Sequence, residues 1–254
     1  MTPPDASSHI ASLPVAGRVR TPAQILQLRA PPLPLWKRAF DLWTAAMITP
    51  FVVPLIGVFA LVMLITEGRP VFYGAERMRT PRNSFTLWKF RSMRPDPDDW
   101  GVSGTDKQHR ITRFGGWLRR RRLDELPQLW NLWRGDISVV GPRPPDRRYV
   151  EKYPEIYAQV LQTRPGLTGL ATVAYGRHEE MLLARVSTAE ETEALYCRAC
   201  VPRKAHIDLI YQRNRSLWLD LGIVRRTLFP KRRASPQRQL RRGFRRAFGI
   251  AQRR

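Results

Sequence analysis

The sequence predicts an α+β, helix-rich fold seated on a membrane, and three observations predict it. Between Asp41 and Glu67 lie 25 uncharged, mostly apolar residues, Leu42 to Thr66, enough for an apolar helix of membrane length, which needs about 20 residues. Two later stretches, Leu217-Leu221-Val224-Leu228 and Leu240-Phe244-Phe248, repeat apolar residues at helical spacing. Between these, short alternating segments such as Trp88-Lys89-Phe90-Arg91 read as strands.

Taken in chain order, residues 1–34 are a leader rich in Pro, Ala and Ser without periodicity. Residues 35–67 hold the apolar run. Pro50 and Pro54 interrupt it, and each removes a backbone donor and disfavours helix just before it. A helix from Lys37 to Thr49 would span about 20 Å, short of the roughly 30 Å hydrocarbon core. Arginine and lysine flank both ends, with Arg29, Lys37 and Arg38 before and Arg69, Arg77 and Arg79 after, so both ends read as cytoplasmic. Two readings stay open on these facts, a helix that enters and returns to the same face and a Pro-kinked single-pass anchor.

Residues 68–229 form the body. Val71-Phe72-Tyr73 and Phe85 to Arg91 are strand candidates, and the second sets Lys89 and Arg91 on one face. Asp96 to Asp106 reads as loop. Leu126, Leu129, Trp130 and Trp133 make a helical apolar face around Pro127. Gly141-Pro142-Arg143-Pro144-Pro145 is an extended loop, because its prolines forbid helix, and Arg164 to Gly169 is a second turn-rich segment. The first late stripe fits either an interfacial helix or core packing. Residues 230–254 are a basic tail whose stripe starts after Ser235-Pro236.

Charge narrows the partners. The chain carries 44 Lys and Arg against 21 Asp and Glu, a net +23, which implies nucleic acid, anionic lipid or phosphorylated substrates. Twelve arginines and lysines and no acidic residue follow Asp220, so about half the excess belongs to the tail. Cys197 and Cys200 form one C-x-x-C, and the four histidines are scattered. That pattern favours two reduced thiols over a zinc site.

The richest cluster for chemistry is Arg119-Arg120-Arg121-Arg122-Leu123-Asp124-Glu125-Leu126-Pro127-Gln128. Pro127 suits a first helical turn, which places the acidic pair in the turn entering a helix. Nearby arginines would keep both carboxylates ionised, and an ionised Asp serves as nucleophile or magnesium ligand. Lys89 and Arg91 on the strand, and Arg143 held by prolines, supply phosphate-binding cations. A solvated, salt-bridged helix start is the competing reading of the arginine run.

At this point the residues resemble the bacterial sugar transferases, the monotopic phosphoglycosyl transferases. Lys37-Arg38-Ala39-Phe40-Asp41, Gly68-Arg69-Pro70-Val71-Phe72, Lys89-Phe90-Arg91-Ser92-Met93 and Leu123-Asp124-Glu125-Leu126-Pro127-Gln128-Leu129-Trp130-Asn131 carry the resemblance. Gly135 to Pro144, Arg164-Pro165-Gly166-Leu167-Thr168-Gly169 and Asp208-Leu209-Ile210-Tyr211 continue it to about residue 229. The resemblance implies an α+β, helix-rich monotopic membrane protein at the cytoplasmic face of the bacterial inner membrane. Its parts would be a re-entrant helix in 35–67, a compact cytosolic catalytic region in 68–229 and interfacial amphipathic helices.

It further implies transfer of a sugar-1-phosphate from a UDP-sugar to polyprenyl (undecaprenyl) phosphate, releasing UMP and starting a cell-envelope glycan. Asp124 would be the nucleophile, Glu125 would assist the acceptor, and Mg2+ would bind through Asp124. Arg119, Pro142 and Arg143 match positions near nucleotide or phosphate, with Lys89 a looser match. Anionic lipid is an expected partner, nucleic acid is not, and a homo-oligomer stays open. Ala171-Thr172-Val173 departs from the family's usual Ala-Gln-Val, and Arg79-Thr80-Pro81-Arg82-Asn83 lacks the glycines usual in that turn. The alternative function is a catalytically idle membrane scaffold whose basic tail binds anionic lipid or nucleic acid.

Overall fold

A computed structural model describes residues 33–94 and 109–229. The Asp96 to Asp106 loop, nearly all of the leader and the tail helix around Leu240 lie outside the described residues. A 32-residue helix, α1 (Leu35–Thr66), opens the fold, with both Pro50 and Pro54 inside it. The expected interruption before Pro50 is therefore absent from the helix assignment. Each proline removes only one backbone donor, and side-chain bonds brace the turn just before the first. Thr49 Oγ1 donates to the Ala45 carbonyl at 2.7 Å, and Trp133 Nε1 donates to Thr49 Oγ1 at 3.0 Å.

The polarity of α1 is inverted relative to a helix in water. Lys37 and Asp41 are 1% and 0% exposed, while Phe51 and Ile65 are 74% and 75% exposed. Among the described residues α1 alone is long and apolar enough to cross a membrane. An exposed apolar patch of this extent calls for apolar surroundings. The two inward charges are tied to the body. Lys37 Nζ pairs with Asp220 and donates to Tyr211 Oη at 3.2 Å, and Tyr211 Oη donates to Asp220 Oδ1 at 2.7 Å. Asp41 Oδ1 accepts from Ser138 Oγ and the Val139 amide at 2.8 and 2.9 Å.

An antiparallel hairpin follows, β1 (Phe72–Met78) and β2 (Ser84–Phe90), with Phe72 opposite Phe90 and Met78 opposite Ser84. Next come α2 (Arg113–Arg120), capped by Thr112, a 3-10 turn at Leu123–Glu125 and α3 (Gln128–Arg134). The inward face of α3 is Gln128, Leu129, Asn131 and Leu132. Trp130 and Trp133, expected to share the apolar face, point outward instead. An amide turned inward is tolerated because Asn131 is fully used, as the site geometry shows.

The supposed turn at Arg164–Gly169 contains a strand, β4 (Gly166–Thr168), parallel to β3 (Ser138–Val140). The two approach so closely that a Cβ on Gly166 would lie 2.1 Å from the Gly141 nitrogen. Only glycine fits there. Helices α4 (Arg147–Lys152), α5 (Pro154–Val160), α6 (Leu170–Leu183), α7 (Ala189–Leu195), a π-helical turn at Tyr196–Cys200 and α8 (Val201–Arg213) complete the body, with α9 (Leu217–Leu228) last. The main core gathers Ala45, Leu132, Val140, Leu170, Tyr211 and Ile223. Helix α9 packs through Leu219, Asp220 and Ile223, so Leu217, Leu221 and Leu228 of its predicted stripe are exposed beside Trp218. Val224, the fourth residue of the stripe, packs partly buried against the core, so core packing accounts for that residue alone.

Candidate active site

Three backbone devices place the charged side chains. Arg122 takes the left-handed conformation at φ 59°, which reverses the chain after α2 and starts the 3-10 turn bearing Asp124 and Glu125. The leucines flanking the pair, Leu123 and Leu126, pack into a cluster with Met63, Phe90 and Leu118. The Pro-Arg-Pro loop is fixed on either side of Arg143, where the Pro142 carbonyl accepts from Gly166 N at 2.8 Å and the Pro145 carbonyl from Met78 N at 2.9 Å. Strand β2 brings in Lys89.

Asn131, quoted in the motif but given no role from sequence, holds these parts in register. Its Nδ2 donates to the Thr86 carbonyl at 2.7 Å and to Asp136 Oδ2 at 3.0 Å, and its Oδ1 accepts from Trp88 N at 3.0 Å. It thereby clamps α3, which follows the 3-10 turn bearing the acidic pair, to the strand carrying Lys89. A buried amide with its bonds satisfied fixes one arrangement. A capping-like Asn in a helix gives no such signal in sequence.

The structure brings Glu125, Lys89 and Arg143 together. Arg143 Nη2 donates to Glu125 Oε1 at 2.9 Å, and Lys89 Nζ stands 3.5 Å from the same oxygen. Burial alone would raise the Glu125 pKa, but Arg143 and Lys89 outweigh it and hold the carboxyl down at about 2. Asp124 behaves oppositely. Burial and the Glu125 charge raise its pKa, against Lys89 and Arg119. The expectation that arginines keep both carboxylates ionised thus describes Glu125, whereas Asp124 holds its proton more tightly than an ordinary aspartate. Burial, with Arg143 beside it, lowers Lys89 to about 8.

Arg119 is close enough to Asp124 to act on its charge, and its Nη1 contacts Met93 Sδ at 3.0 Å. Pro142 is buried beneath Arg143. Arg91 is placed differently from Lys89. It follows the end of β2, and its guanidinium donates to the Glu67, Gly68 and Arg69 carbonyls at 2.8, 3.2 and 3.3 Å. These bonds latch the chain leaving α1. Sequence reasoning also passed over Glu179, Lys204 and Tyr196. Lys204 Nζ donates to Glu179 Oε1 at 2.9 Å and to Tyr196 Oη at 3.3 Å, and the fields of Tyr196 and Glu179 reach Arg143.

Among the described residues no three His, Cys, Asp or Glu side chains gather as a metal cage. Magnesium, however, commonly binds through one or two carboxylates plus substrate phosphates and waters. Asp124, whose carboxyl oxygens make no hydrogen bond to another side chain among the described residues, fits that requirement. Cys197 and Cys200 are buried and free.

The family model for bacterial sugar transferases matches residues 33–231. The chain belongs to that family. An undecaprenyl-phosphate glucose phosphotransferase of Komagataeibacter xylinus is 34% identical over 217 residues, covering 80% of this chain and 38% of the relative. A UDP-glucose:undecaprenyl-phosphate glucose-1-phosphate transferase of Caulobacter vibrioides is 37% identical over 216 residues, covering 81% and 75%. A UDP-N-acetylgalactosamine-undecaprenyl-phosphate N-acetylgalactosaminephosphotransferase of Aeromonas hydrophila is 31% identical over 198 residues, covering 76% and 42%. The chain thus spans about two fifths of the length of the first and third of these relatives, and the sugars in their names differ.

Proposed function

We propose that this bacterial sugar transferase moves a sugar-1-phosphate from a UDP-sugar to undecaprenyl phosphate, releasing UMP. The observation that carries the reading is the division of labour in the acidic pair. Glu125 is occupied by Arg143 and Lys89, which leaves Asp124 as the carboxylate available to a substrate, with cations around it to hold a diphosphate. In the first step an Asp124 carboxylate oxygen forms a bond to the β-phosphorus. The bond from that phosphorus to the bridging oxygen breaks, and UMP leaves with that oxygen. In the second step an oxygen of the polyprenyl phosphate attacks the same phosphorus, releasing the carboxylate and forming a diphosphate-linked sugar. Arg143, Lys89 and Arg119 bind and orient the phosphates, while Glu125 sets the charge of the first two. Mg2+, held by Asp124, would neutralise phosphate charge.

The same reading includes a re-entrant α1 at the cytoplasmic face of the inner membrane. One body holds both ends of α1, through Lys37 and Asp41 at the start and through Met63 and the Arg91 latch at the finish. A single-pass helix would carry its far end away from the body. Cysteines placed at Leu35 and Thr66 should both react with a membrane-impermeant maleimide in inside-out vesicles and neither in intact spheroplasts; opposite sidedness would reject re-entry.

The reaction is tested by UMP release from a panel of UDP-sugars with reconstituted protein, undecaprenyl phosphate and Mg2+. Release with one donor, abolished in Asp124→Asn, is the expected result. Equal release by that variant removes Asp124 from its role.

A further inference from the structure

A second charged site lies beside the strand that carries Lys89, reaching from Ser84 to Trp88. Here a cleft of about 650 Å³ opens between the hairpin turn, the C-terminal end of α3 and the segment before β4. Four guanidiniums line it, those of Arg79, Arg134, Arg164 and Arg215, against the single carboxylate of Asp136. That carboxylate is already engaged, accepting from Asn131 Nδ2 at 3.0 Å and lying 3.5 Å from Arg134 Nε. No side-chain hydrogen bond or ion pair joins Arg79, Arg164 or Arg215 to any described residue.

The cations are also crowded together. A Cβ placed on Gly135 would lie 3.2 Å from Arg38 Cζ and 3.3 Å from Arg164 Nη1, so two guanidiniums stand over one left-handed glycine. Arg38 is held there by its bonds to the Leu132 and Trp133 carbonyls at 3.0 and 2.8 Å. Burial first, then Arg79 and Arg38, lower the pKa of Arg164, outweighing the pull of Asp41 and Asp136. Half-buried like charges without partners raise the energy of the fold unless an anion joins them. Paired guanidinium forks suit phosphate oxygens in bidentate geometry, and Thr80 and Asn83 in the adjoining turn add polar groups.

We propose that this cleft binds a phosphate-bearing anion at a site separate from Asp124. Ser84, Thr86 and Trp88 line the cleft from alternate positions of β2, whereas Lys89, on the opposite face of the strand, reaches Glu125. A smaller cleft shares Arg79, Arg134 and Arg164 with it and reaches Leu33 and Leu35 at the start of α1. The anion therefore enters where the chain meets its apolar segment, and a phospholipid headgroup or a soluble phosphate compound supplies the same chemistry.

The test uses the full chain. Inorganic pyrophosphate binding is measured by calorimetry, and retention of phosphatidylglycerol against phosphatidylcholine by native mass spectrometry from detergent. The variants are Arg79→Gln/Arg164→Gln and, leaving every guanidinium in place, Asn83→Asp, which adds a negative charge to the turn. Wild type should bind at least one anionic probe, and both variants should weaken that binding tenfold or more with a thermal midpoint near that of wild type. Loss confined to phosphatidylglycerol identifies a headgroup site, and loss confined to pyrophosphate a soluble ligand. Failure of wild type to bind either probe, or binding by Asn83→Asp equal to wild type, overturns the proposal.

Discussion

Replacing Glu125 by Gln isolates the electrostatics of the site, because it removes one charge and keeps the shape. Arg143 and Lys89 hold the Glu125 carboxyl at about 2 against an ordinary 4.5, a gap worth roughly 3 kcal/mol at 1.36 kcal/mol per unit. Glu125 is 14% exposed but Arg143 is 40% exposed, so solvent screening brings the figure to about 2–3 kcal/mol. The folded pKa lies below the unfolded one. The stabilisation is therefore complete above about pH 4.5 and disappears as pH falls through about 2. A chain of this size shifts its Tm by about 2–4 °C per kcal/mol. Glu125→Gln should accordingly melt about 4–12 °C below wild type at pH 7. The gap should narrow steadily between pH 4.5 and 2. Scans at one fixed rate, in detergent with EDTA, measure it from pH 7 down to the lowest pH at which wild type remains folded. A gap that stays constant through that window would mean that the ion pairs do not set the Glu125 proton affinity, and the division of labour within the acidic pair would fall with it.

The other predictions concern different charges. Lys89 is held near 8, so the charge that the proposed reaction uses on phosphate is present below that pH and lost above it; kcat/KM should fall as pH rises through about 8, and Lys89→Arg should move that limb upward. An unmoved limb assigns it to another group. Lys37→Met or Asp220→Leu alone, by leaving one buried charge of the Lys37–Asp220 pair unmatched, should cost about 3–5 kcal/mol, and the double variant much less than the sum. Additive losses in a thermal cycle would refute the coupling. Burial holds Asp208 protonated up to about 7, and its Oδ1 lacks a hydrogen-bond partner. Its raised pKa costs stability as pH climbs past its ordinary 3.8 toward 7, so Asp208→Asn should raise Tm at pH 8 more than at pH 5. Equal effects at both pH values would contradict it.

How far the sequence disclosed this fold depended on whether a residue's constraint was local. The prolines around Arg143 force an extended loop by themselves, and Pro127 sets the helix start behind the acidic pair, so both features were readable. The pairing of β3 with β4 was not, because three-residue strands about 26 positions apart leave no local pattern and depend on glycine-to-glycine contact. Arg91 shared an alternating segment with Lys89, yet β2 stops at Phe90. One residue past the strand, the side-chain alternation no longer governs direction, and open carbonyls after α1 take the guanidinium. Asp124 and Glu125 looked alike in sequence. Their proton affinities separate because only Glu125 meets Arg143.

The burial of charge on α1 was not legible in the sequence. Lys37, which read as a basic flank of the apolar run, and Asp41, which borders that run, turn inward to Asp220 and Ser138. A helix anchored through buried charge has one permitted rotation, since turning it would strand those charges without partners. The same helix presents Met63 and Phe59 to the cluster containing Leu123 and Leu126, the residues on either side of the acidic pair. The seating of α1 is thereby coupled to the position of the acidic pair, and under the proposed function to its height relative to the membrane surface. Under the proposed reaction that height matters, because a lipid-linked acceptor offers its phosphate only in the interfacial layer. The inward charges at Lys37 and Asp41 are then part of how the nucleophile meets its second substrate.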